Sequence, residues 1–139
     1  MNFNPARERT RPPSPQHALV KGYSVTVVVQ NWYFIRAGLE GQALEVRRDA
    51  SRVRQDAGRH VGRILVPAAT SPDALTFIWE CDYADEAARE VDAAWADASP
   101  EFTAVRERMG TLLERFERIA FVVDAGTTDT DRSPNASGV

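Results

Sequence analysis

One cysteine and two histidines among 139 residues leave few of the side chains from which the commoner active sites and metal centres are built. Cys81 has no partner for an intramolecular disulfide, and with only His17 and His60 beside it the chain lacks the soft ligands of a structural zinc site. Any metal would have to be held by carboxylates. No segment reaches the about 20 apolar residues of a membrane-spanning helix. The opening MNFNPARERTRPPSPQ has no apolar signal core, so a soluble, cytoplasmic protein is expected. Also missing are a glycine-rich phosphate loop, a GxSxG elbow, an HExxH pair and any paired-cysteine motif. No cofactor is therefore expected, while cofactor-independent chemistry stays open because it depends on pocket geometry. The net charge of −3 offers no general attraction to nucleic acid or to an anionic membrane surface.

What is present suffices for one ordinary core, since 43% of the residues are hydrophobic. Residues 1–21 combine four prolines with arginines, and 125–139 read AGTTDTDRSPNASGV. Neither end has apolar periodicity to offset the entropy of ordering, so both are expected to be flexible tails flanking a single domain at 22–124. Within that domain GYSVTVVVQN predicts a strand with Tyr23, Val25, Val27 and Val29 on one face. Leu39, Ala43, Val46, Ala50, Val53 and Ala57 then recur at alternating spacings of four and three, a helical stripe that Gly58 is placed to end. His60 to Pro67 fits a second strand. In LTFIWECDY, Leu75, Phe77, Trp79, Cys81 and Tyr83 share the face of a third. A helix capped by Asp82 or Asp85 follows and breaks at Ser99-Pro100, an N-cap and first-turn proline that start another helix with Phe102, Val105, Met109, Leu112, Leu113 and Phe116 on its buried side. AFVVDAG supplies a fourth strand.

The order is β-α-β-β-α-β, a ferredoxin-like α+β fold with a four-stranded antiparallel sheet and helices on one face. Bulk and continuity favour the face bearing Val25, Val27, Phe77 and Trp79 for the helices. The opposite face still carries Val28 and Ile78, together with either Phe121 and Val123 or Ala120 and Val122. An apolar patch of this kind is usually covered, and a second copy of the same face is the simplest cover, so a homodimer is expected.

The run from YSVTVVVQNWYFIRAG through TFIWECDYADEAAREV to SPEFTAVRERMGTLLERFERIAFVV resembles the dimeric α+β barrel superfamily, in particular its NIPSNAP-like and antibiotic-biosynthesis-monooxygenase-like branches. The likeness covers residues 22–124. It implies a barrel formed by two subunits and a small-molecule pocket between helices and sheet, but no single reaction, because the superfamily hosts many. Haem-degrading members are similar in having an asparagine on the first strand and a tryptophan on the third, which Asn31 and Trp79 match. They also need a histidine on the second helix, and residues 84–118 contain none.

Residues expected near such a pocket are Asn31, Trp32 and Tyr33 at the end of the first strand, Trp79 and Tyr83 on the third, and Trp95 on the helix after it. Trp32, Tyr33, Trp79 and Trp95 are read as pocket walls, with simple core packing of the aromatics as the competing reading. His60 is the natural group for proton transfer near neutral pH, with Tyr83 and Asn31 as its companions. Cys81 reads as core. The arginines of the first half, Arg47, Arg48, Arg52, Arg54, Arg59 and Arg63, read as a solvated, salt-bridged face, the alternative being attraction of an anionic ligand. Three functions follow: a homodimeric binder of a small aromatic or anionic metabolite, a cofactor-independent monooxygenase or isomerase acting on an aromatic or polyketide-like substrate, or a structural module without a ligand.

Overall fold

β-Branched and aromatic side chains dominate β1 (Val27–Ile35), whose burial alternates from Val27 to Tyr33 and which runs on to Ile35 rather than ending at Asn31. The computed structural model describes residues 25–71 and 73–127, so the expected N-terminal tail at 1–21, the strand opening at 22–24 and most of the expected C-terminal tail lie outside the described residues. Ala125–Thr127 form a short 3-10 turn. The other elements are α1 (Glu40–Asp56), β2 (Arg63–Leu65), β3 (Phe77–Tyr83), α2 (Glu86–Ala98), α3 (Pro100–Gly110) and β4 (Leu113–Val122). The strands are antiparallel in the order β2-β3-β1-β4. Among the described residues, no helix is long and apolar enough to cross a membrane.

Local chemistry accounts for the helix ends. The Asp85 carboxylate accepts the Ala88 N–H at 2.8 Å, and the Ser99 hydroxyl accepts the Phe102 N–H at 3.1 Å, with Pro100 in the first turn of α3. Asp82 lies exposed at the end of β3 and is not the cap. Beyond Ala57, Gly58 takes the left-handed backbone conformation that turns the chain out of α1.

Two predicted segments differ. The second strand shrinks to Arg63–Leu65, an edge segment paired to Glu80, Trp79 and Ile78. The predicted last helix stops at Gly110, and the stretch read as its continuation is strand. LERFERIAFV is rich in helix-forming Glu and Arg, yet it pairs along β1 from Ile35↔Leu113 to Val27↔Val122, with a register shift between Phe34 and Ile35. Completing the sheet on that side of β1 overrides local propensity. Phe116, Arg118 and Ala120 thereby turn toward the helices, opposite Tyr33, Asn31 and Val29.

The core lies between the helices and the face carrying Val27, Val29, Phe77, Trp79, Cys81 and Tyr83, which is the face that bulk and continuity favoured. Ala43 and Ala50 let α1 approach closely, and the rings of β3 fill part of the space between α1 and the sheet. Phe77, 2% exposed, contributes about 2 to 3 kcal/mol through burial. Cys81 is buried, and burial pushes its thiol pKa up, as suits a core residue. On the other face Val28 sits opposite Phe121, Gln30 opposite Ile119 and Trp32 opposite Ile78. A polar chain crosses this face: the Trp32 indole donates to Gln30 at 2.9 Å, Gln30 donates to Glu80 at 2.7 Å, and Arg63 Nε donates to Glu80 at 2.8 Å.

Trp79 is fixed from outside by the backbone before β2. Its indole N–H donates to the Val61 carbonyl at 2.8 Å, and the next residue, Gly62, has φ +68° and so little clearance that a Cβ would stand 2.6 Å from the indole. Gly62→Ala combines strain with a clash and is expected to cost at least about 2 kcal/mol in urea unfolding. Wild-type stability in that variant would show that the contact yields freely.

Candidate functional site

A cavity of about 160 Å³ opens between the sheet and all three helices. The sheet contributes Asn31, Tyr33, Trp79, Tyr83, Phe116 and Arg118, while the helices contribute Arg47 and Arg54 from α1, Arg89 and Asp92 from α2, and Phe102 and Arg106 from α3. The rest of the wall is apolar, including Val29, Ala50, Ala96, Val105 and Met109. Five arginines thus face one carboxylate.

That carboxylate is fully engaged. Asp92, 1% exposed, receives Arg54 Nη1 at 2.8 and 3.1 Å, Arg59 Nε at 3.3 Å and the Tyr83 hydroxyl at 2.5 Å. Burial by itself pushes the Asp92 pKa up, but the Tyr83 hydroxyl and the Arg54 guanidinium outweigh it and hold the carboxyl below its ordinary range. Burial, with the bond to Asp92, pushes the Tyr83 phenol well up, so it remains a neutral donor. Arg54 also donates to the His60 carbonyl at 3.2 Å and lies 4.6 Å from the Trp79 ring centroid. Charge and ring stacking together fix its position.

Arg47 is in the opposite situation. It is 4% exposed, and its one hydrogen bond is a long 3.5 Å contact from Nη1 to the Tyr33 hydroxyl. Its Nε and Nη2 are buried without a partner, and its guanidinium carbon sits 5.0 Å from the Trp79 ring centroid. Burial pushes its pKa down. Arg118 donates from Nε to the Asn31 side-chain oxygen at 2.8 Å, packs 5.5 Å from the Phe116 ring centroid and is likewise pushed down by burial. Among the described residues neither arginine has a carboxylate in ion-pair range. Arg106, by contrast, pairs with Asp97 at 2.9 Å, and Arg89 with Glu86 at 3.2 Å.

Of the residues singled out from sequence, Asn31, Tyr33, Trp79 and Tyr83 meet at this cavity. Trp32 points to the other side of the sheet, in the chain that runs to Glu80. Trp95 stacks on Phe102 at 5.3 Å and stays behind the wall. His60 is exposed, its ring 4.8 Å from the Tyr83 ring and outside the lining. The reading of Arg47 and Arg54 as solvated is overturned, since both are buried. Their positions continue the Ala43, Val46, Ala50 stripe, so the spacing carried the signal and residue type obscured it. Asp92 and Arg118 were missed altogether. Arg52 and Asp49, by contrast, do form the solvated pair expected of the opposite side of α1, and Asp49 also binds Arg108 of α3 at 2.5 Å.

No family model and no curated protein matches this chain. Solved structures do. A NIPSNAP family protein from Agrobacterium tumefaciens is 20% identical, with a TM-score of 0.61 over 76% of this chain and 91% of that one. A dabb family protein with a ferredoxin-like fold from Mesorhizobium loti is 19% identical, with a TM-score of 0.52 over 73% of this chain and 100% of that one. SnoaB, a cofactor-independent oxygenase from Streptomyces nogalater, is 16% identical, with a TM-score of 0.52 over 74% and 95%. The chain shares their ferredoxin-like α+β fold.

Removing the Asp92 charge strands Arg54 in the interior, and Asp92→Asn is expected to cost about 3 to 5 kcal/mol in denaturant unfolding. The same carboxylate makes stability depend on acid. Because its folded pKa lies below the unfolded value, its contribution is complete above about pH 4 and is lost as the pH falls through the lower folded value. Unfolding midpoints measured from pH 6 to pH 2 should therefore converge for wild type and Asp92→Asn at the acid end, and a constant gap would remove Asp92 from the acid response.

Proposed function

We propose that this chain is one half of a homodimer, with residues 22–124 as its domain, and that each copy binds a small anionic, partly aromatic molecule in the cavity between helices and sheet. The observation that carries this reading is Arg47, a buried cation on the cavity wall with two unpartnered nitrogens. Leaving such a group unpaired costs several kcal/mol, a penalty that a bound anion would relieve. Aromatic surface from Trp79 and Phe102 suits a flat ligand body. A purely structural module calls for a filled helix-to-sheet space, and the cavity speaks against it.

The dimer rests on the outer face of the sheet, where Val28, Ile78, Ile119 and Phe121 cluster and Phe121 is 44% exposed. A second copy of that face would cover the patch, and the Trp32-Gln30-Glu80-Arg63 chain satisfies its polar groups in advance.

A catalytic reading of the same cavity is favoured by the convergence of Asn31 and Tyr83 beside the cationic wall, and SnoaB shares the fold. In that reading the protein is a cofactor-independent monooxygenase or isomerase, with the arginines holding a substrate anion, the Asn31 amide donating a hydrogen bond, and the Tyr83 hydroxyl, whose proton goes to Asp92, accepting one. His60 contributes no atom to the wall and drops out of the mechanism.

Native mass spectrometry of freshly purified protein is expected to show a dimer, with extra mass where a ligand is retained. Ile78→Arg and Phe121→Arg are expected to give monomers. A monomeric wild type would remove the dimer, and dimeric variants would move the interface to another surface.

A further inference from the structure

The cavity has two chemically different halves, and together they narrow the ligand. Asp92 is the one carboxylate on the wall, and Arg54, Arg59 and Tyr83 already occupy it. It has nothing left for Arg47 or Arg118. The unpartnered nitrogens of Arg47 are Nε and Nη2, the two that share one edge of the guanidinium plane. That edge matches a carboxylate through two parallel hydrogen bonds. The rest of the wall is hydrocarbon and ring surface, and about 160 Å³ is close to the size of engineered apolar cavities that admit benzene.

Resting on the reading of this cavity as a ligand site, we propose that it takes a monocarboxylic acid whose body is about the size of one six-membered ring, with Arg47 as the principal anchor and Arg118 as the second cation. A phosphate-sized anion leaves the apolar half empty, and a neutral ring leaves the charge of Arg47 uncompensated. A hydrocarbon acid satisfies both. The arrangement also predicts a cost in the unliganded protein, because a desolvated guanidinium is held there for a partner that arrives later.

The test uses benzoate, benzamide and inorganic phosphate as probes, titrated into the full chain by calorimetry. Benzoate is expected to bind, benzamide to bind about tenfold to a hundredfold more weakly because it lacks the charge, and phosphate to fail to displace benzoate. Arg47→Met should erase the preference for benzoate, retain the weak benzamide binding, and unfold at the same or a higher temperature than wild type. Equal affinity for benzoate and benzamide in the wild type would overturn the proposal, as would benzoate displacement by phosphate or an unchanged preference in Arg47→Met. If neither ring compound binds the wild type, the failure lies with the cavity as a ring-sized ligand site. Should Arg47→Met not fold, that too contradicts the proposal, and the wild-type probe series with Arg118→Gln still measures the dependence on charge.

Discussion

The bonds converging on Asp92 hold the helical layer to the sheet. One carboxylate on α2 receives Arg54 from α1, Arg59 from the loop after it and Tyr83 from β3, so elements distant in sequence share a single anchoring point. Such a node is favourable only when every member is satisfied, because the low dielectric that strengthens its bonds also magnifies any vacancy. Around it the alanines of α1 permit close approach, and Trp79 is pinned between the Val61 carbonyl and two arginines. The cavity persists because its walls are braced by polar contacts rather than by collapse of apolar groups.

Much of this architecture was legible. Alternation in FIWECDY, the stripe from Leu39 to Val53 and the Ser99-Pro100 boundary all correspond to observed elements, because each is a local signal acting through backbone geometry. The misread stretch was 111–119, since the strand expected from Ala120 begins at Leu113. Its Glu and Arg residues favour helix locally, and only the need of β1 for a neighbour, a non-local fact, makes it a strand. The site was half legible for the same reason. Asn31, Tyr33, Trp79 and Tyr83 follow from strand parity. Arg47 was assigned to water because arginine usually belongs there, Asp92 sits on the Ala88–Ala96 face of its helix where its charge hid the spacing, and Arg118 reaches the cavity only once β4 is known to be a strand.

Arg54 and Arg47 make an instructive pair, one heptad apart on the same helix face and equally buried. Arg54 is neutralised within the chain and serves the fold. Arg47 is not, and a fold optimised for stability alone would place an apolar side chain there. Methionine or leucine there would leave no unpaired charge in the interior.

The pairing of β1 with β4 carries a further consequence. Along β4 the inward residues are Phe116, Arg118 and Ala120, and the residues between them include Glu117. Moving this strand by one residue against β1 would exchange Arg118 for Glu117 on the cavity side, since side chains alternate with a period of two. The electrical sign at that end of the cavity is thus a property of strand alignment as much as of composition. The same slip would carry Leu113 and Phe116 out of the core, so the packing that buries them also fixes which charge faces the cavity, and the irregularity between Phe34 and Ile35 lies at the Leu113 end of that pairing.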